Sequence, residues 1–203
     1  MKLYTIAKTQ INLIELAKPL ILASGSPRRQ SLLESAGYRF AVEKSDADES
    51  FPGGMEPAQI AGFLARKKAE TFLGVYKEGI VLAADTIVVL DGNILGKPEN
   101  AQKAAEMLRR LSGRRHEVIT GVAFLADGRI ESFQDTAYVY FHDLESWEID
   151  YYVSQYKPYD KAGAYGIQEW IGLIGIEKIE GSYFTVMGLP ISKVHAYLKK
   201  YRV

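Results

Sequence analysis

The 203-residue sequence contains no cysteine. That excludes disulfides, thiolate metal sites and cysteine nucleophiles, and it fits a reducing compartment, the cytoplasm. Net charge is missing as well: 25 lysines and arginines balance 25 aspartates and glutamates. No global field therefore draws the chain to nucleic acid or to a membrane surface, and any anion site must be local. Histidine is scarce, and His116, His142 and His195 are scattered without metal-ligand spacing. No apolar run approaches the roughly 18–20 residues that span a bilayer. The first residues, with Lys2, Lys8, Glu15, Lys18 and Pro19 among apolar ones, lack the unbroken stretch and small-residue cleavage site of a secretory signal. Residues 1–19 are expected to form an N-terminal extension with one amphipathic turn, and residues 20–203 a single domain.

What is present is ordinary for a globular protein, 47% hydrophobic and 25% charged residues. Leu20 to Ala23 is a short apolar run that ends in Ser24-Gly25-Ser26-Pro27. Pro27 suits the first helical position and Ser26 the N-cap before it, with Gly37 as the stop. Residues 57–73 read as an amphipathic helix, with Ile60, Phe63, Leu64 and Phe72 on its apolar side. Ile80 to Leu90 is a nearly continuous apolar strand, followed by a hairpin signal at Asp91-Gly92-Asn93. A third helix runs from Ala101 to Leu111 and is closed by Gly113. Val118 to Leu125 and Ile130 to Phe141 pair around Asp127-Gly128, and Leu144 to Tyr156 is helical. A glycine-rich stretch from Gly163 to Gly175, a strand near Ile176 to Ile179 and a last helix from Ile191 to about Tyr201 complete the chain. Helices alternate with strands, yet tight turns join several strands. The expectation is an α/β fold with a mixed, strongly twisted sheet flanked by helices, in two lobes around a cleft with their boundary near Asp127-Gly128.

Five groups of residues carry chemistry. At Ser24–Arg29, unpaired N–H groups of a helix start favour phosphate, and Arg28 and Arg29 add fixed-charge donors. A capped surface helix with solvated arginines is the alternative. Asp85 interrupts the strand Val81–Val89, where burying a charge is costly unless a cation or a function compensates it; an aspartate at a strand bulge is the other reading. Asp46-Ala47-Asp48-Glu49 reads by itself as a solvated loop, or beside a phosphate site as a source of a second carboxylate. Lys97, in Gly96-Lys97-Pro98, is aimed by a loop, whereas Lys68 sits among other basic residues on a helix and fits a solvated face equally well. In Asp160–Gln168, small residues allow close approach, and Gln168 carries a donor and an acceptor able to read a base edge; a glycine-rich turn with an incidental glutamine is also consistent.

Taken in order, Ala23–Arg29, Asp48-Glu49, Ala65–Ala69, Ala84–Val88, Gly96-Lys97-Pro98, Leu111-Ser112-Gly113, Thr120-Gly121-Val122, Asp160–Gln168, Glu180–Tyr183 and Gly188-Leu189-Pro190 resemble the Maf family of nucleoside triphosphate pyrophosphatases. The resemblance covers nearly the whole chain from Leu20. It implies a fold like that of inosine triphosphate pyrophosphatases and hydrolysis of a nucleoside triphosphate to monophosphate and pyrophosphate. It implies Asp85 as the catalytic aspartate, with Glu49, Lys68 and Lys97 around it. A divalent cation, Mg²⁺ or Mn²⁺, would be held by Glu49 and Asp85. Ser24, Ser26 and Arg29 would hold phosphate, and Arg28, Thr86 and Gln168 would discriminate substrates. The Ala-Tyr-Gly-Ile-Gln form of the late motif resembles the dTTP/UTP branch. A homodimer and a link to septum formation are also implied; a purine-directed house-cleaning pyrophosphatase and a non-catalytic regulator of cell division are the competing readings. One departure stands out: Glu169-Trp170 follows Gln168 where the family commonly has glycine, and this bulkier pair is expected to narrow or re-aim the base pocket.

Overall fold

The computed structural model describes residues 14–203. The strand β1 (Leu20–Leu22) leads through the turn at residues 23–26 into α1 (Pro27–Ser35), and β2 (Ala41–Val42) returns beside it. After α2 (Pro57–Glu70) come β3 (Ile80–Leu90), β4 (Asn93–Leu95) and α3 (Ala101–Leu111), then the long strands β5 (Arg115–Ala126) and β6 (Arg129–Phe141). The chain closes with α4 (Ser146–Tyr156), a 3-10 turn at Ala162–Ala164, α5 (Trp170–Gly175), β7 (Ile176–Glu180), α6 (Tyr183–Met187) and α7 (Ile191–Leu198). The seven strands form one mixed sheet in the order β2-β1-β3-β5-β6-β7, with β4 beside β3. The β1–β2 and β1–β3 pairs are parallel, and all the others are antiparallel.

Residues 1–13 of the expected N-terminal extension lie outside the described residues. From Ile14 onward the segment carries isolated bridges, Ile14 to Tyr38 and Leu16 to Arg202. The glycine-rich stretch contains the helix α5, and α6 was not expected at all. No helix among the described residues is long and apolar enough to cross a membrane.

The expected lobe boundary at Asp127-Gly128 is wrong. Those residues, with φ of 53° and 71°, close the β5–β6 hairpin, whose register runs unbroken from Arg115–Tyr140 to Ala126–Arg129. The division runs across the strands instead. On one face, Ile80, Leu82 and Ala84 join the cluster of α1 and α7, whereas Val88 and Leu90 join that of α3 and α4. On the other, Val81 and Ala83 pack with Ala65 and Ala69, and Ile87 and Val89 with Ile60 and Leu64. The break falls at Asp85 and Thr86 on β3, and at their partners Gly121 and Thr120 on β5. Only alternation along a strand puts the break on both faces at adjacent residues. Met187 of α6 spans the gap on one side.

Candidate active site

The break coincides with a gap at the edge of the sheet. β1 pairs with β3 at residues 80–82 and β4 pairs with the same edge at residues 88–90. Residues 83–87 are left without a strand neighbour there, since β5 occupies the opposite edge. This gap floors a cleft of about 360 Å³ lined by all ten residues singled out from the sequence. A larger hollow of about 1130 Å³, among residues 14–21, 39–41 and 74–79, contains none of them.

On the floor, Asp85 is 8% exposed. Lys68 reaches down from the last turn of α2, placing Nζ 2.5 Å from Asp85 Oδ1 and 3.0 Å from Glu49 Oε1. Lys97, on the loop after β4, donates to Glu49 Oε2 at 3.1 Å. Lys68 thus faces the cleft and not solvent. From the acidic loop, Asp48 does not join this group; it turns to Lys67 and to the Ser50 amide, which hold its carboxyl far below the usual range. Partial burial of Glu49 works against ionisation, but hydrogen bonds and charge from Lys68 and Lys97 outweigh it and keep its pKa below the ordinary value. A depressed pKa means the carboxylate and its pairing persist below the ordinary titration range and are lost only as pH falls through the lowered value. Lys97→Met is expected to move the Glu49 titration upward, toward the ordinary value, when followed by carboxyl ¹³C NMR. An unmoved titration would show that Lys97 does not act on Glu49.

At the turn, Pro27 opens α1 and Ser26 is an extended N-cap whose hydroxyl makes no cap bond, while its amide donates to Ser24 Oγ at 3.3 Å. Arg29 lines the cleft and is also bound to the protein. Its Nε donates to the Gly188 carbonyl at 2.8 Å, Nη1 to Ser24 Oγ at 3.0 Å and Nη2 to Thr86 Oγ1 at 3.2 Å. Burial pushes its pKa down, with the charge of Asp85 opposing that shift. Three of its five donors are thus committed to protein atoms, and Arg29 braces the turn against α6 and β3. The Thr86 hydroxyl is also shared with Thr120, at 2.9 Å. Arg28 stands nearer the mouth, with Nη1 3.0 Å from Asp160 Oδ2.

The far wall is the segment 160–168. The Gln168 amide oxygen is buried and has no hydrogen-bond partner among the described residues, so it is an acceptor with nothing yet to accept from. The Tyr165 hydroxyl lies 2.8 Å from His116 Nε2, and burial lowers the His116 pKa to about 3, which keeps that ring neutral. Glu169 and Trp170 do not line the cleft, so they do not narrow it directly, and any re-aiming acts through other residues. Glu169 turns to Tyr152 and Lys161, and Trp170 packs edge-on against Tyr151 with ring centroids 4.8 Å apart. The lining also includes Lys44, which carries no motif, the buried Lys161, whose segment but not whose side chain was given a role, and Val186 and Met187. Val186 and Met187 are the last residues of α6, which lies between Gly181 and Gly188, two stop signals that were legible; a lone lysine such as Lys44 carries no signal.

Among the described residues, no three His, Asp or Glu side chains are grouped to hold a metal by themselves. Glu49 and Asp85 nevertheless converge on a single cation, the Lys68 ammonium. Two hard oxygen ligands at one cationic position fit Mg²⁺ or Mn²⁺, which complete their shells with water and substrate phosphates.

A mixed sheet with a helix start, paired carboxylates and lysines around one gap defines an α/β protein with a cleft suited to a phosphorylated small molecule. Its fold is like that of the Staphylococcus aureus Ham1 protein, with a TM-score of 0.52 at 16% identity, covering 90% of this chain and 99% of that one. The chain belongs to the Maf family: the model of that family, described as Maf-like protein, matches residues 19–201. A Bacteroides thetaiotaomicron protein named dTTP/UTP pyrophosphatase is 47% identical over 183 residues, covering 89% of this chain and 95% of that protein. A Cytophaga hutchinsonii protein of the same name is 45% identical over 181 residues, covering 89% and 83%.

Proposed function

We propose that the chain hydrolyses nucleoside triphosphates, with dTTP, UTP and modified pyrimidine analogues as substrates, to the monophosphate and pyrophosphate. The observation that carries this reading is the cleft's division into a cationic, carboxylate-bearing floor at Lys68, Lys97, Glu49 and Asp85 and a wall holding the unpartnered Gln168 oxygen. The names of the relatives supply the pyrimidine nucleotides.

The triphosphate lies against the amide groups of the Ser24–Ser26 turn, where the start of α1 favours negative charge. Lys68 and Lys97 exchange their carboxylate partners in part for phosphate oxygens. Asp85 accepts a proton from water as its oxygen attacks the α-phosphorus. The bond from that phosphorus to the bridging oxygen breaks, and pyrophosphate leaves in line. Glu49 and Asp85 would hold a divalent cation, which when bound withdraws charge from the phosphates and acidifies water. Gln168, with Arg28 near the mouth, contacts the base. Its amide matches a carbonyl oxygen and the ring N–H of uracil or thymine together, and cytosine, with donor and acceptor exchanged, requires the amide to turn over. Nucleoside triphosphates are a cytoplasmic pool, so the reading implies the cytoplasm.

A pyrophosphate-release assay over UTP, dTTP, CTP and GTP with Mg²⁺ or Mn²⁺ tests the proposal, and release from none of them would sink it. Gln168→Glu replaces a donor–acceptor pair with acceptors only. Its kcat/KM for UTP and dTTP is expected to fall roughly tenfold or more relative to CTP. Unchanged relative rates would remove Gln168 from base recognition.

A further inference from the structure

A line of charged and hydroxyl groups runs behind the cleft wall, and neither the phosphate chemistry nor the base contact accounts for it. It begins at Arg28, whose Nη1 donates to Asp160 Oδ2 at 3.0 Å. The other oxygen of Asp160 accepts from Lys161 Nζ at 2.7 Å. Lys161, with its side chain 9% exposed, also pairs with Glu169 Oε1 at 3.1 Å. The second oxygen of Glu169 accepts from the Tyr152 hydroxyl. That hydroxyl in turn accepts from the Gly166 amide at 3.0 Å, two residues before Gln168. Tyr152 is fully buried.

We propose that Glu169 is the positioning residue for base selection, holding Arg28 through Lys161 and Asp160, and Gln168 through Tyr152 and the Gly166 amide. Glu169 stands at the N-cap of α5, yet its side chain makes no cap bond. Both of its oxygens are spent on groups that lead back to the cleft. Without it, the buried Lys161 keeps Asp160 as its one carboxylate and competes with Arg28 for it, since a buried cation with a lost partner draws on the one that remains. The Tyr152 hydroxyl loses its acceptor at the same time, and the segment carrying Gln168 loses a fixed anchor. Glycine in its place would supply neither bond. Glu169 touches no phosphate-binding group, so its effect falls on nucleotide affinity and discrimination and not on the hydrolytic step.

This inference rests on the pyrophosphatase reading, and one set of assays separates the two. Steady-state parameters for UTP, dTTP and CTP are measured for the wild type, Glu169→Gly, Glu169→Gln and Tyr152→Phe. Glu169→Gly is expected to raise KM for UTP and dTTP about tenfold, with kcat within about twofold and a narrower preference over CTP. Glu169→Gln, which keeps one acceptor of the right reach, is expected to recover part of both. A wild type that releases no pyrophosphate from any of the three defeats the pyrophosphatase reading, and this inference with it. Wild-type turnover beside an unchanged KM and preference in Glu169→Gly overturns the inference alone, as does a loss confined to kcat. If Glu169→Gly does not fold, Tyr152→Phe decides: a raised KM for UTP supports the path, and wild-type values overturn it.

Discussion

Replacing Asp85 by asparagine is expected to lower pyrophosphate release roughly a thousandfold while leaving the fold in place. Asparagine keeps the volume and one oxygen to accept from Lys68 Nζ, which stands 2.5 Å from Asp85 Oδ1. What it loses is the ability to take a proton from the attacking water. Removing one charge of a buried pair usually costs several kcal/mol, because the other is stranded. Here Lys68 keeps Glu49 at 3.0 Å, so the stability cost should be about 1 kcal/mol. Thermal unfolding read beside the activity separates the two effects. A variant with near-normal turnover would take Asp85 out of the chemistry, and one that does not fold would show that its role is structural.

The second large effect lies directly across the ladder. Gly121 pairs with Asp85, and a Cβ there would stand 2.2 Å from the Ala61 carbonyl oxygen and 2.4 Å from the Gly62 nitrogen. Both are backbone atoms of α2, so no side chain can swing aside. Gly121→Ala must push the helix off the sheet, and overpacking of this kind costs about 3 kcal/mol. The melting temperature should fall by roughly 6–12 °C for a chain of this size. Lys68 rides on the same helix, so turnover should drop as well. An unchanged melting temperature and unchanged activity would mean that α2 is free to move away from β5 at no cost.

The parts of this molecule that the sequence made legible are those whose signal is local. Ile80–Leu90 is a run of apolar residues with a polar pair inside it, and the strand has those limits. Asp91-Gly92 and Gly113 adopt the positive φ that their turn positions require. Asp85 stood out because it breaks the apolar pattern of its strand, whereas Glu49 and Lys68, which by themselves fit a solvated loop and a solvated helix face, stood out only through the family resemblance. What stayed hidden depends on contacts distant in sequence. The helix α5 was obscured by Gly172 and Gly175, since glycine is a poor helix former. Its presence at 172 follows from the Ile167 carbonyl, which a Cβ would meet at 1.9 Å. That Arg29 also donates to Gly188, 159 residues away, could not be read from its place beside Arg28. Two residues of β2, both exposed, carry no periodicity at all.

The line across β3 and β5 where the apolar clusters divide has a bearing on how this chain can change. Asp85 and Thr86 displace no aliphatic side chains, because the packing on either side of them already ends there. A side chain at position 85 can therefore be exchanged with little disturbance to the apolar interior, as long as the glycine beneath the helix is kept, whereas Thr86 is tied to Arg29 and Thr120. The apolar packing and the charges on the floor of the cleft are stored in separate sets of atoms, whereas selectivity shares buried polar groups with the fold. A lineage carrying this scaffold can vary the charges on the floor of the cleft one side chain at a time without first having to rebuild its apolar core.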